Sequence, residues 1–175
     1  MWSARLLHLE GRAGSTGPHH GPPEGRHAIT PYLTIKNAVE AIAFYEKVFG
    51  AKEMHRMADP QSGKIMHSAL KIDDSMLFLS DEFPQMGSKG PLTLGGSPVT
   101  IHYYTPEVDA VVARAAEAGA TVLMPPMDMF WGDRFSKLQD PFGHIWSVAT
   151  HIADPSAEEM QKAMEAQMAA MKAKK

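Results

Sequence analysis

Between Phe130 and Trp146 the chain reads FWGDRFSKLQDPFGHIW, gathering two tryptophans, two acids, an arginine and a histidine around an Asp-Pro-Phe-Gly turn. Aromatic rings beside a few polar groups are the usual lining of a small-molecule site. Phe130 and Trp131 come just before Gly132, Asp133 and Arg134 at a strand edge, which suits groove-lining. Upstream, Thr100, His102 and Tyr104 alternate through TIHYY, so one strand face carries a hydroxyl, an imidazole and a phenol. His102 is the group there able to move a proton or hold a metal, and Asp81 is the carboxylate that would pair with it. Asp140 is expected to cap its own turn, and Trp146, alternating with Ser147, to face the core. No nucleophile elbow, phosphate-cradling GxxxxGK[ST] or dinucleotide GxGxxG is present. The chain has no cysteine, which excludes thiolate nucleophiles, thiolate metal sites and disulfides.

The elements that must position these groups follow from periodicity. ITPYLTI over 29–35 is strand-like, and Asn37 then offers an N-cap to a helix. Ala38, Ala41, Ile42, Tyr45, Val48 and Phe49 share one face of that helix before Gly50 closes it. Three strand-like runs follow at Glu53–Ala58, Lys64–Ile72 and Ser75–Ser80. A shift of 70 residues begins the same order again, laying Ala41 over Val111 and Ile42 over Val112. The second helix, about 107–118, ends at Gly119, and Thr121–Met124, Arg134–Leu138 and His144–Thr150 supply three more strands. The expected fold is α+β, two tandem βαβββ modules at about 28–82 and 97–152.

With 175 residues, 44% hydrophobic, and a formal charge of -3, the chain can bury one core. The lack of a dense basic block argues against nucleic acid, and no apolar run reaches the roughly 20 residues that span a bilayer. A cytoplasmic location is expected. Residues 1–27, rich in Gly, Pro, Ser and His, read as a disordered leader, and 28–152 as a single domain. Residues 155–175 read as an amphipathic helix with Met160, Met164, Met168 and Met171 on one stripe.

FYEKVFGA in the first repeat, AAEAGATVLMP in the second, then FWGDRFSKLQDPFGHIW and a closing SVATH resemble the vicinal oxygen chelate superfamily. The nearest likeness is to its glyoxalase/bleomycin-resistance/dioxygenase group, in the PhnB-like branch. The resemblance implies a curved mixed sheet rolled into a cup, a homodimer, and a site inside the cup. Metal-dependent members place ligands on the first strand of each module, seven residues before the residue that opens the helix, and carboxylates on each last strand. Here those places fall on Thr30, Thr100 and Ser147, with Asp81 or Glu82 as the fourth. Three neutral hydroxyls and one carboxylate are a poor donor set. A register moved by two brings Tyr32 and His102 instead, and a site of His102, Asp81 and His67 becomes conceivable. The expectation is therefore a small-molecule-binding protein with no cofactor, its ligand held among Thr30, Tyr32, Thr100, His102, Tyr104, Phe130, Trp131, Arg134 and Ser147. Two alternatives stay open: a metal-dependent lyase, isomerase or dioxygenase using His102 and Asp81, and a regulatory protein whose Met-striped helix is the working surface. Whether the chain is an enzyme is left undecided by its sequence.

Overall fold

The computed structural model describes residues 22, 23 and 26–173; the leader reading falls largely outside them, as do Lys174 and Lys175. The first module runs β1 (Tyr32–Ile35), α1 (Ala38–Phe49), β2 (Lys52–Ala58), β3 (Ile65–Ile72) and β4 (Ser75–Asp81). A 3-10 turn at Pro84–Met86 and a short helix, α2 (Pro91–Leu94), lead into the second. That module runs β5 (Thr100–Tyr104), α3 (Val108–Glu117), β6 (Thr121–Asp128), β7 (Asp133–Gln139) and β8 (Ile145–His151), and α4 (Ala157–Ala173) follows. Two four-stranded mixed sheets result, in the orders β1-β4-β3-β2 and β5-β8-β7-β6. In each, the first strand lies parallel to the last and every other pair is antiparallel. A helix between the first strand and the rest gives the crossover that parallel pairing needs.

Three local expectations are corrected. The first strand starts at Tyr32, leaving Thr30 and the exposed Ile29 outside it, because Pro31 has no N–H and joins the ladder only by its carbonyl, which accepts from Phe78 N–H. Asn37 makes no side-chain cap; it sits at φ 67, a left-handed conformation that Asn tolerates. The cap comes from Asp81 at the end of β4, whose Oδ1 accepts the Ala38 N–H at 3.0 Å while its Oδ2 accepts the Ile65 N–H at 2.7 Å. In the second module, β6 continues past Met124 to Asp128, with its pairing register broken around Pro125 and Pro126.

One core joins the modules. The apolar face of α1 buries Ala41, Ile42, Tyr45, Val48 and Phe49, and that of α3 buries Val108, Val111, Val112 and Ala115. Phe49 stacks on Trp146 with ring centroids 4.4 Å apart, a contact worth about 1 kcal/mol beyond its area. At the centre lies Asp140, 3% exposed. Its Oδ1 accepts the N–H groups of Phe142 and His144, closing the turn, and its Oδ2 accepts Tyr45 Oη–H at 2.7 Å and Trp146 Nε1–H at 2.9 Å. Burial, with the Asp140 carboxylate beside it, pushes the Tyr45 phenol well above its usual value.

His144 carries the other polar link, its Nε2 lying 3.2 Å from the Thr34 carbonyl oxygen on β1. Burial holds this imidazole below the usual histidine value, opposed only in part by Asp140 and the Thr34 carbonyl. An unfolded histidine titrates near 6.5, so below that pH the unfolded chain takes up a proton that the folded one resists. The contribution of His144 is complete above about pH 6.5 and is lost as pH falls through its depressed folded value. Urea midpoints measured from pH 8 to 5 are expected to fall on the acid side, and the fall to be shallower in His144→Gln. An equally steep acid limb in that variant would contradict the assignment.

Candidate functional site

Alternation along β5 sends Ile101 and Tyr103 to the core and turns Thr100, His102 and Tyr104 to the opposite, open face. Parallel pairing sets His102 beside Ser147 of β8, and a 2.7 Å hydrogen bond joins His102 Nδ1 to the buried Ser147 Oγ. The imidazole meets Tyr104 edge-on at 4.5 Å and stacks over Phe135 of β7 at 6.2 Å. Phe135 in turn carries Trp131 edge-on at 5.7 Å, and Phe130 abuts Trp131 at 5.1 Å. His102, Tyr104, Phe135, Trp131 and Phe130 thus form a continuous aromatic run on the second sheet.

The polar anchor of this run is Asp133, the first residue of β7 and 5% exposed. Its Oδ2 accepts Tyr104 Oη–H and Trp131 Nε1–H, both at 3.1 Å, and its Oδ1 lies 3.1 Å from His151 Nδ1. His151 Nε2 lies 3.0 Å from Asp154 Oδ1. Both ring nitrogens therefore face carboxylates, an arrangement that only the imidazolium satisfies fully, and the two hydrogen bonds raise this histidine above its usual value. The Asp133 hydrogen bond likewise raises the Tyr104 phenol. Gly132 precedes this carboxylate at φ 99, where its carbonyl accepts the N–H groups of Ile152 and Ala153.

The first sheet presents a smaller group. Tyr32 Oη and His67 Nδ1 are 3.0 Å apart, Phe78 lies edge-on to both rings, and the Arg26 guanidinium sits 5.4 Å over Phe78. Burial, then the nearby His55 and Arg26, hold the His67 imidazole below its usual value. Tyr32 and His102 meet across a cavity of about 470 Å³ between β1 and β5, which Thr100 and His144 also line. A second cavity of about 440 Å³ is lined by His27, Asp73, Met76, His102, Tyr103 and Tyr104. His102 borders both.

The predicted site residues therefore divide. Tyr32, Thr100, His102, Tyr104, Phe130, Trp131 and Ser147 border the aromatic run or its cavities. Thr30 precedes β1 and is absent from the lining of both cavities. Arg134 shares the helix-side face of β7 with Ser136 and the fully buried Leu138, and its guanidinium is held by Asp109 of α3 at 2.7 and 2.8 Å and by Asp128 at 2.9 Å. Asp81 and His67 belong to the other sheet, and both Asp81 oxygens are taken by backbone donors, so no His102–Asp81 acid-base pair forms. The alternative carboxylate, Glu82, accepts from Gly90 N–H and Thr93 Oγ1–H. Among the described residues no three His, Asp or Glu side chains converge on a point where a metal ion would sit. Sequence reasoning missed Asp133 and His151; the alternation that sets Asp133 with Phe135 was the signal for the first.

The model of the Glyoxalase/Bleomycin resistance protein/Dioxygenase superfamily matches residues 25–148. An uncharacterised protein of Mycobacterium tuberculosis is 44% identical over 143 residues, covering 80% of this chain and 84% of its own length. The crystal structure of an Arabidopsis thaliana gene product is similar at 25% identity with a TM-score of 0.58, covering 70% of this chain and 98% of that one. A PhnB protein from Bacillus cereus shares the fold at 19% identity and a TM-score of 0.56, over 71% of this chain and 99% of its own. With paired βαβββ sheets and a family model that matches most of its length, this chain belongs to the Glyoxalase/Bleomycin resistance protein/Dioxygenase superfamily.

Proposed function

We propose that this chain binds a flat, partly aromatic small molecule against the run from His102 and Tyr104 to Trp131, with Tyr32 facing it across the cavity, and does so without a metal. The observation that supports this is the pairing of the first and last strands in each sheet: Tyr32 stands beside Phe78, and His102 beside Ser147. These four equivalent places hold one imidazole, one phenol, one aliphatic hydroxyl and one phenyl ring, with no carboxylate among them. A catalytic zinc takes about three protein ligands and hard cations take several oxygens, so this donor set does not fit a resident divalent ion. The same set suits a planar ligand, with aromatic faces for contact and His102 to fix its orientation by a hydrogen bond.

The test is a panel of flat aromatic compounds screened by thermal shift in the presence of a chelator. At least one class is expected to raise Tm further as its concentration grows, since a ligand that binds only the folded state stabilises by mass action. His102→Ala is expected to weaken that ligand about tenfold, or about 1.4 kcal/mol. If no class binds, or binding appears only when metal is added back, the proposal fails.

A further inference from the structure

Across the middle of the second sheet the pairing register sets four residues in one row: His102 of β5, Ser147 of β8, Lys137 of β7 and Met124 of β6. Residues directly opposite on neighbouring strands point to the same side, so Lys137 shares the open face with His102. Two places before it on that face lies Phe135 of the aromatic run, and two places after it lies Gln139. Among the described residues Lys137 is the one lysine that is half-buried; every other is exposed. Its strand is interior, with β8 on one side and β6 on the other, so the position is central on the face and not at its rim. No acid neutralises it. The described ion pairs join Arg56, Arg114, Arg134, His151 and Lys162 to carboxylates, and Lys137 is in none of them. Asp133, the acid on the same face, stands four residues away, about 13 Å along the strand, and its oxygens are taken by Tyr104, Trp131 and His151. The Gln139 amide is turned to the Gly143 carbonyl. A lysine is rarely held partly away from water without an acid beside it, because its charge loses hydration and gains nothing in return. On a binding face the missing partner can come with the ligand.

We propose that the ligand of this face is an aromatic acid, whose ring lies against His102, Tyr104 and Phe135 and whose carboxylate pairs with the Lys137 ammonium. This rests on the reading of the aromatic run as a ring-binding surface and names the class of molecule it takes. Geometry sets the size. Neighbouring strands lie about 4.8 Å apart, so His102 and Lys137, two strands apart, stand about 10 Å apart at the backbone, a span that suits one or two fused rings with an acid group at one end. Charge sets the sign. His151 is the other cation on the face, and it is already balanced by Asp133 and Asp154, which leaves Lys137 as the positive group free to meet a ligand. A ring bearing an ammonium would meet like charge there and be refused. The four-carbon stem packs on its neighbours while the head stays mobile, so Lys137 reads charge and position, and the rings beside it read shape. Strand alternation thus sends the two cations of FWGDRFSKLQDPFGHIW to opposite sides: Arg134 ties β7 to α3, and Lys137 faces the ligand.

The test uses three probes with one ring system, 2-naphthoate, 2-naphthamide and 2-naphthylmethylamine, titrated calorimetrically into the full-length chain in chelator. At about pH 7.5 the acid and the amine are charged and the amide is not. Wild type is expected to bind the acid about tenfold more tightly than the amide, the worth of one charge-assisted hydrogen bond, and the amine more weakly than either. Lys137→Met keeps the length of the apolar stem and is expected to bring the acid-to-amide ratio to about one, while Lys137→Arg is expected to keep it. Circular dichroism confirms folding of each variant. Salt gives a readout that needs no variant: raising sodium chloride from about 0.02 to 0.5 M is expected to weaken the acid severalfold and to leave the amide within about a factor of two. A Lys137→Met chain that retains the preference, or equal salt responses of acid and amide, would overturn the proposal. Wild type that binds the amide as tightly as the acid would also overturn it, and the ring-binding surface would stand without the charge assignment. Wild type that binds none of the three would overturn the surface itself, and the assignment with it.

Discussion

Asp140→Ala is expected to cost about 4 kcal/mol of folding stability and to lower Tm by roughly 8–16 °C, on the scale of about 2–4 °C per kcal/mol for a chain of this size. Four donors set this cost. Tyr45 Oη–H, Trp146 Nε1–H and the N–H groups of Phe142 and His144 all end on this one carboxylate. Alanine leaves them unpaired in the core, at roughly 1–3 kcal/mol for each donor that water cannot reach. The exposed edge of the turn at Pro141 lets some backbone groups recover water, so the costs do not simply add. A carboxylate that served only its own turn would be worth about 1 kcal/mol, as ordinary caps are. Denaturant unfolding separates the two outcomes, and Tyr45→Phe, which removes only the link between modules, is expected to lose about 1–2 kcal/mol.

Gly132→Ala is the second large effect. Glycine here stands at φ 99, and an added Cβ would lie 2.0 Å from the Ala153 carbonyl oxygen and 2.7 Å from Pro155 Cδ. Neither neighbour is the free end of a flexible side chain. The segment after β8 must therefore move, giving up the Ile152 and Ala153 hydrogen bonds to the Gly132 carbonyl. A cost of about 3 kcal/mol is expected from backbone strain together with those losses. Because Trp131 and Asp133 flank this residue, ligand binding should weaken with stability. Gly63→Ala is the control: it is at φ 71 with nothing within 4 Å of the added atom, and about 1 kcal/mol is expected. Equal losses in the two variants would show that packing against Ala153 does not matter.

What could be read from the residues was what depends on short-range periodicity. The helical faces of α1 and α3 were legible because their apolar spacing survives the shift between repeats, and β5 because a half-buried strand alternates. Arg134 was misplaced although its strand held the answer: Leu138 lies four residues on, hence on the same face, and it is core. The motif, not the alternation, drew the arginine into the site. Asp81 could not have been read locally, since it caps a helix that begins 43 residues earlier. The same holds for the Asp140–Tyr45 bond, which spans 95 residues. Pairing of β5 with β8 also decided the register of the metal positions, because Ser147 lies opposite His102 and not opposite Thr100.

The most direct test of a metal-free site is elemental analysis of chelator-treated protein after incubation with zinc, nickel, manganese and ferrous iron, run beside His102→Ala. Metal held elsewhere on the chain, away from His102, would be unchanged by that substitution. Wild type and variant are expected to retain the same substoichiometric amounts, while the aromatic ligand still binds wild type in chelator. One metal ion per chain in wild type, lost in His102→Ala, would contradict a metal-free site.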